Sequence, residues 1–135
     1  MKVLTVFSFC LVALLLTSCG EDQVTSLGPQ QWNDLQFVVE ARPTPIRAGM
    51  NEFIVIASRG NVNPGYDLIV SLRVDNKTEW KQAIQDGYTG VYRRAIKVGN
   101  PATDILAVQV RKSKNDDEEN SAQTVLYFPL AKENN

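Results

Sequence analysis

Two patterns of apolar residues divide the chain. From Val3 to Leu16 nearly every position is apolar, without any period. From Asp34 onward apolar residues come in short runs rich in Val, Ile, Phe and Tyr, punctuated by Gly, Pro, Asn and Asp. Alternation is clearest from Tyr66 to Val74. Tyr66, Leu68, Val70, Leu72 and Val74 share one parity, Asp67, Ser71 and Arg73 the other, and Ile69 breaks the rule. In a strand, period two sends these sets to opposite faces. Leu35, Phe37 and Val39 alternate with Gln36 and Glu40 in the same way. Phe53 to Ser58 is apolar on both faces, as a central strand requires. Val91–Val98, Asp104–Arg111 and Gln123–Leu130 read as further strands, and Glu79–Ile84 as a short strand or a single helical turn.

Turn chemistry separates these runs. Ala48-Gly49-Met50-Asn51 supplies a glycine for positive φ, and Asn63-Pro64-Gly65 fits a turn with Pro first and Gly second. Asp75-Asn76-Lys77, Asp86-Gly87 and Gly99-Asn100-Pro101 mark further turns. The pattern predicts an all-β domain over residues 34–131, an immunoglobulin-like antiparallel β-sandwich of about seven strands. Residues 132–135 are expected to be a disordered tail. Tyr92 follows Gly90-Val91 as a tyrosine corner would, its hydroxyl capping a backbone group; the alternative is an ordinary tyrosine at the core's edge. Both readings make it structural.

The apolar run changes the picture of where the domain lives. Met1-Lys2 is a short positive start, and Val3–Leu16 suits a signal-peptide core while being short for a bilayer span. It ends in Leu16-Thr17-Ser18-Cys19-Gly20, which resembles a bacterial lipobox. An ordinary secretory signal with Cys19 left as a thiol is the alternative. The resemblance implies removal of residues 1–18, a diacylglyceryl thioether on Cys19 and palmitate-type acylation. Each buried CH₂ contributes ~0.8 kcal/mol, so several acyl chains anchor durably where one alone would not. Gly20, where an Asp would retain the protein, resembles lipoproteins passed to the outer membrane, with the domain facing the periplasm. Glu21-Asp22 also resembles the acidic start of surface-exported lipoproteins. Residues 19–33 then read as the lipidated Cys and a flexible tether, with Trp32 docking the tether's end.

Charge and composition narrow the chemistry. The chain carries 14 basic and 15 acidic residues, and Lys2 is the leader's one charge, so no basic footprint for nucleic acid remains. Cys10 leaves with the leader and Cys19 is acylated, so the mature domain has no disulfide and relies on an apolar core. The absence of His removes imidazole bases, catalytic triads and most zinc sites. No phosphate loop or nucleophile motif occurs. Asp34, Asp67, Asp75, Asp86 and Asp104 sit beside turns, where aspartate ordinarily caps backbone groups. Asp116-Asp117-Glu118-Glu119 lacks the ligand spacing and glycine of a calcium loop and reads as a solvated hairpin tip. Asn76-Lys77-Thr78 matches a glycosylation acceptor but reads as a turn. We expect no enzyme, no metal, no cofactor beyond the lipid on Cys19, and no small-molecule substrate.

A second resemblance lies in the order of turns and strands. Pro45-Ile46-Arg47-Ala48-Gly49, the strand through Phe53 and Val55, the Asn-Pro-Gly segment, Leu72-Arg73-Val74, and Asp86-Gly87 through Gly90-Val91-Tyr92 follow one another. This order, over roughly residues 35–130, resembles the small extracytoplasmic immunoglobulin-like domains called FixH-like or YtkA-like. That likeness implies an extracytoplasmic sandwich, and for some relatives a part in copper handling or respiratory-oxidase maturation. The ligands for copper do not carry over: there is no His, and Met50 and Cys19 are the mature chain's one Met and one Cys.

These readings lead to a membrane-anchored lipoprotein acting as a non-enzymatic periplasmic binding or adaptor module on an envelope protein or complex. The alternatives are a structural subunit or pilotin of a secretion or conjugation machine, and a copper or respiratory-oxidase accessory protein. Trp80, in polar surroundings, either covers the core's edge or anchors a partner. Arg93 and Arg94 follow Tyr92 on alternating faces, so one is exposed. Ile69, with Ile54 or Ile56, would place apolar groups on a solvent face. Trp80, Ile69, Arg93 and Arg94 are therefore the expected partner-binding residues, and Cys19 the lipidation site.

Overall fold

The computed structural model describes residues 23–60, 63–74, 76, 78–113 and 122–131. The leader, Cys19, the acidic run 116–119 and the tail 132–135 lie outside the described residues. Ten strands follow one another among those described: β1 (Thr25–Trp32), β2 (Leu35–Arg42), β3 (Gly49–Arg59), β4 (Asn63–Pro64), β5 (Leu68–Val74), β6 (Lys81–Gln82), β7 (Ile84–Gln85), β8 (Val91–Val98), β9 (Ile105–Lys112) and β10 (Gln123–Pro129). All strand pairs are antiparallel.

One sheet runs β1-β2-β3-β8-β7, with β4 on β3, and the other β10-β9-β5-β6. Leaving out β1, the orders β2-β3-β8-β7 and β10-β9-β5-β6 are those of an immunoglobulin-like sandwich, A-B-E-D against G-F-C with one short added strand. Seven strands have seven or more residues, and the other three have two each.

Alternate residues of the long strands fill the space between the sheets, and in β2 and β5 they are the parity sets the sequence predicts, Tyr66 excepted. Leu35, Phe37 and Val39 of β2, Phe53, Val55 and Ala57 of β3, and Leu68, Val70, Leu72 and Val74 of β5 belong to one buried cluster. Tyr92, Ile96 and Val98 of β8, Leu106, Val108 and Val110 of β9, and Leu126 and Phe128 of β10 complete it. Burial of large side chains on this scale supplies the fold's main driving force.

Three expectations need correction. Residues 25–32 are a strand rather than part of a flexible tether: β1 pairs with β2 from Thr25↔Ala41 to Trp32↔Leu35. A register shift between Leu27 and Gln30 lets Thr25, Leu27, Gln30 and Trp32 fall opposite inward-facing β2 residues despite broken alternation. Thr25 and Leu27 are buried, and Trp32 packs against the core. Asn63-Pro64 forms β4 against Arg59 and Ser58, and the positive φ of the preceding reversal belongs to Gly60. Tyr66 lies outside β5, exposed, with its ring edge-on to Tyr88 at 5.7 Å.

Two polar devices bind loops to this frame. The Arg59 guanidinium, at the end of β3, donates to Asp34 at 2.8 Å and to Asp67 at 3.1 Å. It thereby ties the β1–β2 turn to the entry of β5. The hydrogen bond from Arg59 holds the Asp34 carboxyl below the usual carboxylate range, and the bonds to Asp67 and Asp34 hold Arg59 more firmly protonated. Asp104 accepts from the Gly99 and Asn100 amides at 2.8 and 2.9 Å, the capping role expected of it.

Candidate functional site

Parity along β3 and β8 builds the surface. With Phe53, Val55 and Ala57 turned to the core, Met50, Glu52, Ile54 and Ile56 face away from it. Register then aligns neighbours across the sheet. Glu40, Ile54, Arg93 and Ile84 form one row across β2, β3, β8 and β7. Val38, Ile56 and Val91 form the next, and Arg42, Glu52 and Ala95 the one on the other side. Met50 stands beside Lys97 at the end. Adjacent strands are ~4.8 Å apart, so the side chains in each row touch.

The consequence is a ridge of apolar side chains on the solvent face of the first sheet. Ile54 is 3% exposed yet is not part of the cluster between the sheets. Its cover comes from this outer face, where Glu40 and Arg93 flank it in register and their aliphatic stems shield it. Ile84 and Met50 remain open, 69% and 57% exposed. The Arg93 guanidinium lies 3.9 Å from Glu52 and 3.6 Å from Asp86, which holds its charge over the ridge.

A groove of about 660 Å³ runs along this side, lined by Met50, Glu52, Lys81, Ile84, Gln85, Asp86, Arg93, Arg94 and Ala95. The Gln85 amide reaches the Tyr66 carbonyl at 2.6 Å, linking the groove to the Tyr66–Tyr88 pair. Arg93 and Arg94 both line it and are both half-buried, where alternation alone expected one exposed and one not. Arg94 has the parity of Tyr92 and Ile96, but it stands where β7 has ended and its head group reaches solvent at the sheet's edge.

Trp80 and Ile69 lie elsewhere. Continuing the register Ser71↔Gln82 and Leu72↔Lys81 places Trp80 beside Arg73 on the outer face of the second sheet. The Arg73 guanidinium covers the indole, 4.3 Å from its centroid. Ile69 shares that face, half-buried, opposite Arg111. The four expected partner-binding residues therefore do not form one surface: two belong to the groove and two to the opposite side of the sandwich.

The residues that complete the groove, Met50 and Ile84, carried a weaker trace in the sequence. Met50 shares the parity of Ile54 and Ile56, which could have placed it on the ridge. Ile84 lies in a two-residue strand, too short for any period. Among the described residues no group of three or more His, Cys, Asp or Glu side chains converges as a metal site, and no helix is long and apolar enough to cross a membrane. The chain matches no family model, no curated protein and no solved structure.

Proposed function

We propose that the chain is a lipid-anchored envelope lipoprotein whose sandwich works as a non-enzymatic docking module. The observation that carries this reading is the half-buried patch of Val38, Ile56 and Val91 on the same face as the exposed Ile84 and Met50, beside a groove rimmed with charge. Open apolar groups framed by polar ones are the composition of a contact surface. Acylation at Cys19 would confine the module and its partner to one membrane, raising their effective concentration without any new contact.

The reading has a direct test. The full chain, solubilised in detergent from its native envelope, should carry acyl chains on an N-terminal Cys19 and co-purify with a defined partner. Ile84→Lys puts a charge on the ridge at a position already open to solvent, and should remove that partner while leaving the thermal midpoint within about 2 °C. Tyr127→Lys, also at an exposed position but on the other sheet, should leave the partner bound. A partner that persists through Ile84→Lys, or an unmodified Cys19, contradicts the proposal.

A further inference from the structure

β7 covers β8 only at Tyr92 and Arg93. The chain arrives there from β6, which pairs with β5 in the other sheet, so residues 81–85 step across the flank of the sandwich. Beyond Arg93, no described strand pairs with the outer edge of β8.

Two hydrogen bonds fix which way the backbone groups of that edge point. The Ala57 amide donates to the Gly90 carbonyl at 2.8 Å, so Gly90 faces β3. The Asp86 amide donates to the Val91 carbonyl at 2.8 Å, so Val91 faces β7. Alternate residues of an antiparallel strand face the same neighbour. Arg93, Ala95 and Lys97 therefore turn their N–H and C=O groups away from β3. Arg93 is matched by Ile84, whereas Ala95, which lines the groove, and Lys97 beyond it have no described strand beside them. The other flank is blunted by the β1 bulge and Pro29, and the Gln30 side chain donates to the Tyr127 carbonyl of β10.

The charges at the open edge select an occupant. Arg93 is held by Glu52 and Asp86, but Lys81, Arg94 and Lys97 have no ion-pair partner among the described residues. Among the described residues, four cations, Lys81, Arg93, Arg94 and Lys97, thus stand against two carboxylates, Glu52 and Asp86, at this strand edge, a local positive excess in a chain of net charge −1. We infer that the β8 edge at Ala95 and Lys97 is a strand-addition site for an extended acidic segment of a partner protein. The segment takes the line that β7 leaves, pairs its backbone with Ala95 and Lys97, and directs carboxylates to Lys81, Arg94 and Lys97. This inference rests on the docking reading and names the chemistry of the partner.

The test uses the full chain in detergent and two synthetic peptides, one with pairs of glutamates between valines so that carboxylates fall on both faces of the added strand, the other with lysine in their place. The glutamate peptide should slow amide exchange at Ala95 and Lys97, and the lysine peptide should not. Ala95→Pro removes one outward N–H without touching the β3 ladder, and should weaken the glutamate peptide about tenfold, the loss of roughly one hydrogen bond. The double variant Arg94→Glu, Lys97→Glu, altering only side chains that reach solvent, should transfer the preference to the lysine peptide and carries the test should Ala95→Pro fold poorly. No protection by the glutamate peptide at about 1 mM, or equal binding of both peptides, overturns the inference. Binding that survives Ala95→Pro and the double variant but is lost in Ile84→Lys overturns the edge and leaves the ridge standing. Protection at β8 together with a native partner indifferent to Ile84→Lys overturns the ridge and leaves the edge.

Discussion

Gly90→Ala is expected to destabilise the fold by about 3–4 kcal/mol, read as a lowered midpoint in urea with an unchanged slope. Gly90 has a φ of 73°, where an L side chain costs about 1–2 kcal/mol. A Cβ there would also lie 2.5 Å from the Ala57 carbonyl oxygen, 2.9 Å from the Gly65 nitrogen and 3.1 Å from the Pro64 Cβ. Backbone atoms cannot swing aside, and these are locked together: Ala57 donates to Gly90 at 2.8 Å and accepts from Gly65 at 2.9 Å. Gly87→Ala separates the two contributions. Its φ of 58° is equally left-handed, but nothing lies within 4 Å of the added atom. That variant should lose only the conformational part, about 1–2 kcal/mol. Equal losses from both would mean that the packing around Ala57 and Gly65 yields.

Tyr92→Phe should cost about 1–2 kcal/mol near neutral pH and should become the more stable protein at strongly alkaline pH. The Tyr92 ring is fully buried, and its hydroxyl donates to the Gly65 carbonyl at 2.8 Å. Phenylalanine leaves that carbonyl without its donor. The wild-type hydroxyl has a second consequence. Burial pushes the phenol up to about 12, from an ordinary value of 10.0. Below pH 10 both folded and unfolded chains keep the proton, and the contribution is complete. Between about 10 and 12 the unfolded chain gives up the proton first, so stability falls by about 1.4 kcal/mol per pH unit. Phenylalanine has no such proton. The difference between the two proteins should therefore shrink above pH 10 and reverse near 12, a comparison that cancels groups common to both. A constant difference across that range would mean that the phenol ionises freely in the fold. The hydroxyl does cap a backbone group, as the resemblance to a tyrosine corner implied, but from β8 to a carbonyl 27 residues upstream.

What was legible in the sequence follows from the range of each interaction. The parities of Leu35–Val39 and Leu68–Val74 are legible because regular alternation is a local property of the chain. β1 escaped because its inward residues, Thr25, Leu27, Gln30 and Trp32, slip phase at the bulge and so break period two. Glu79–Ile84 is ambiguous in the sequence for a related reason: the two strands found there, β6 and β7, have two residues each and no period to read, and they exist because the chain crosses from one sheet to the other. The solvent-facing isoleucines of β3 could be suspected from parity, but their continuity could not. Ile54 meets Ile84 through Arg93, and only the turn from Asp86 to Gly90 brings β7 and β8 together. The sequence leaves Trp80 open between covering the core's edge and anchoring a partner, because Arg73, which covers it, belongs to another strand.

Photo-crosslinking in intact cells tests the docking surface most directly. A photoreactive residue placed in turn at Ile84, Met50, Ile69 and Tyr127 samples the ridge and the opposite face at exposed or half-buried positions. One protein should be captured from both Ile84 and Met50, be absent from Ile69 and Tyr127, and be lost when Cys19→Ala removes the anchor. Capture of that protein from Ile69 or Tyr127, with none from Ile84 or Met50, would contradict it.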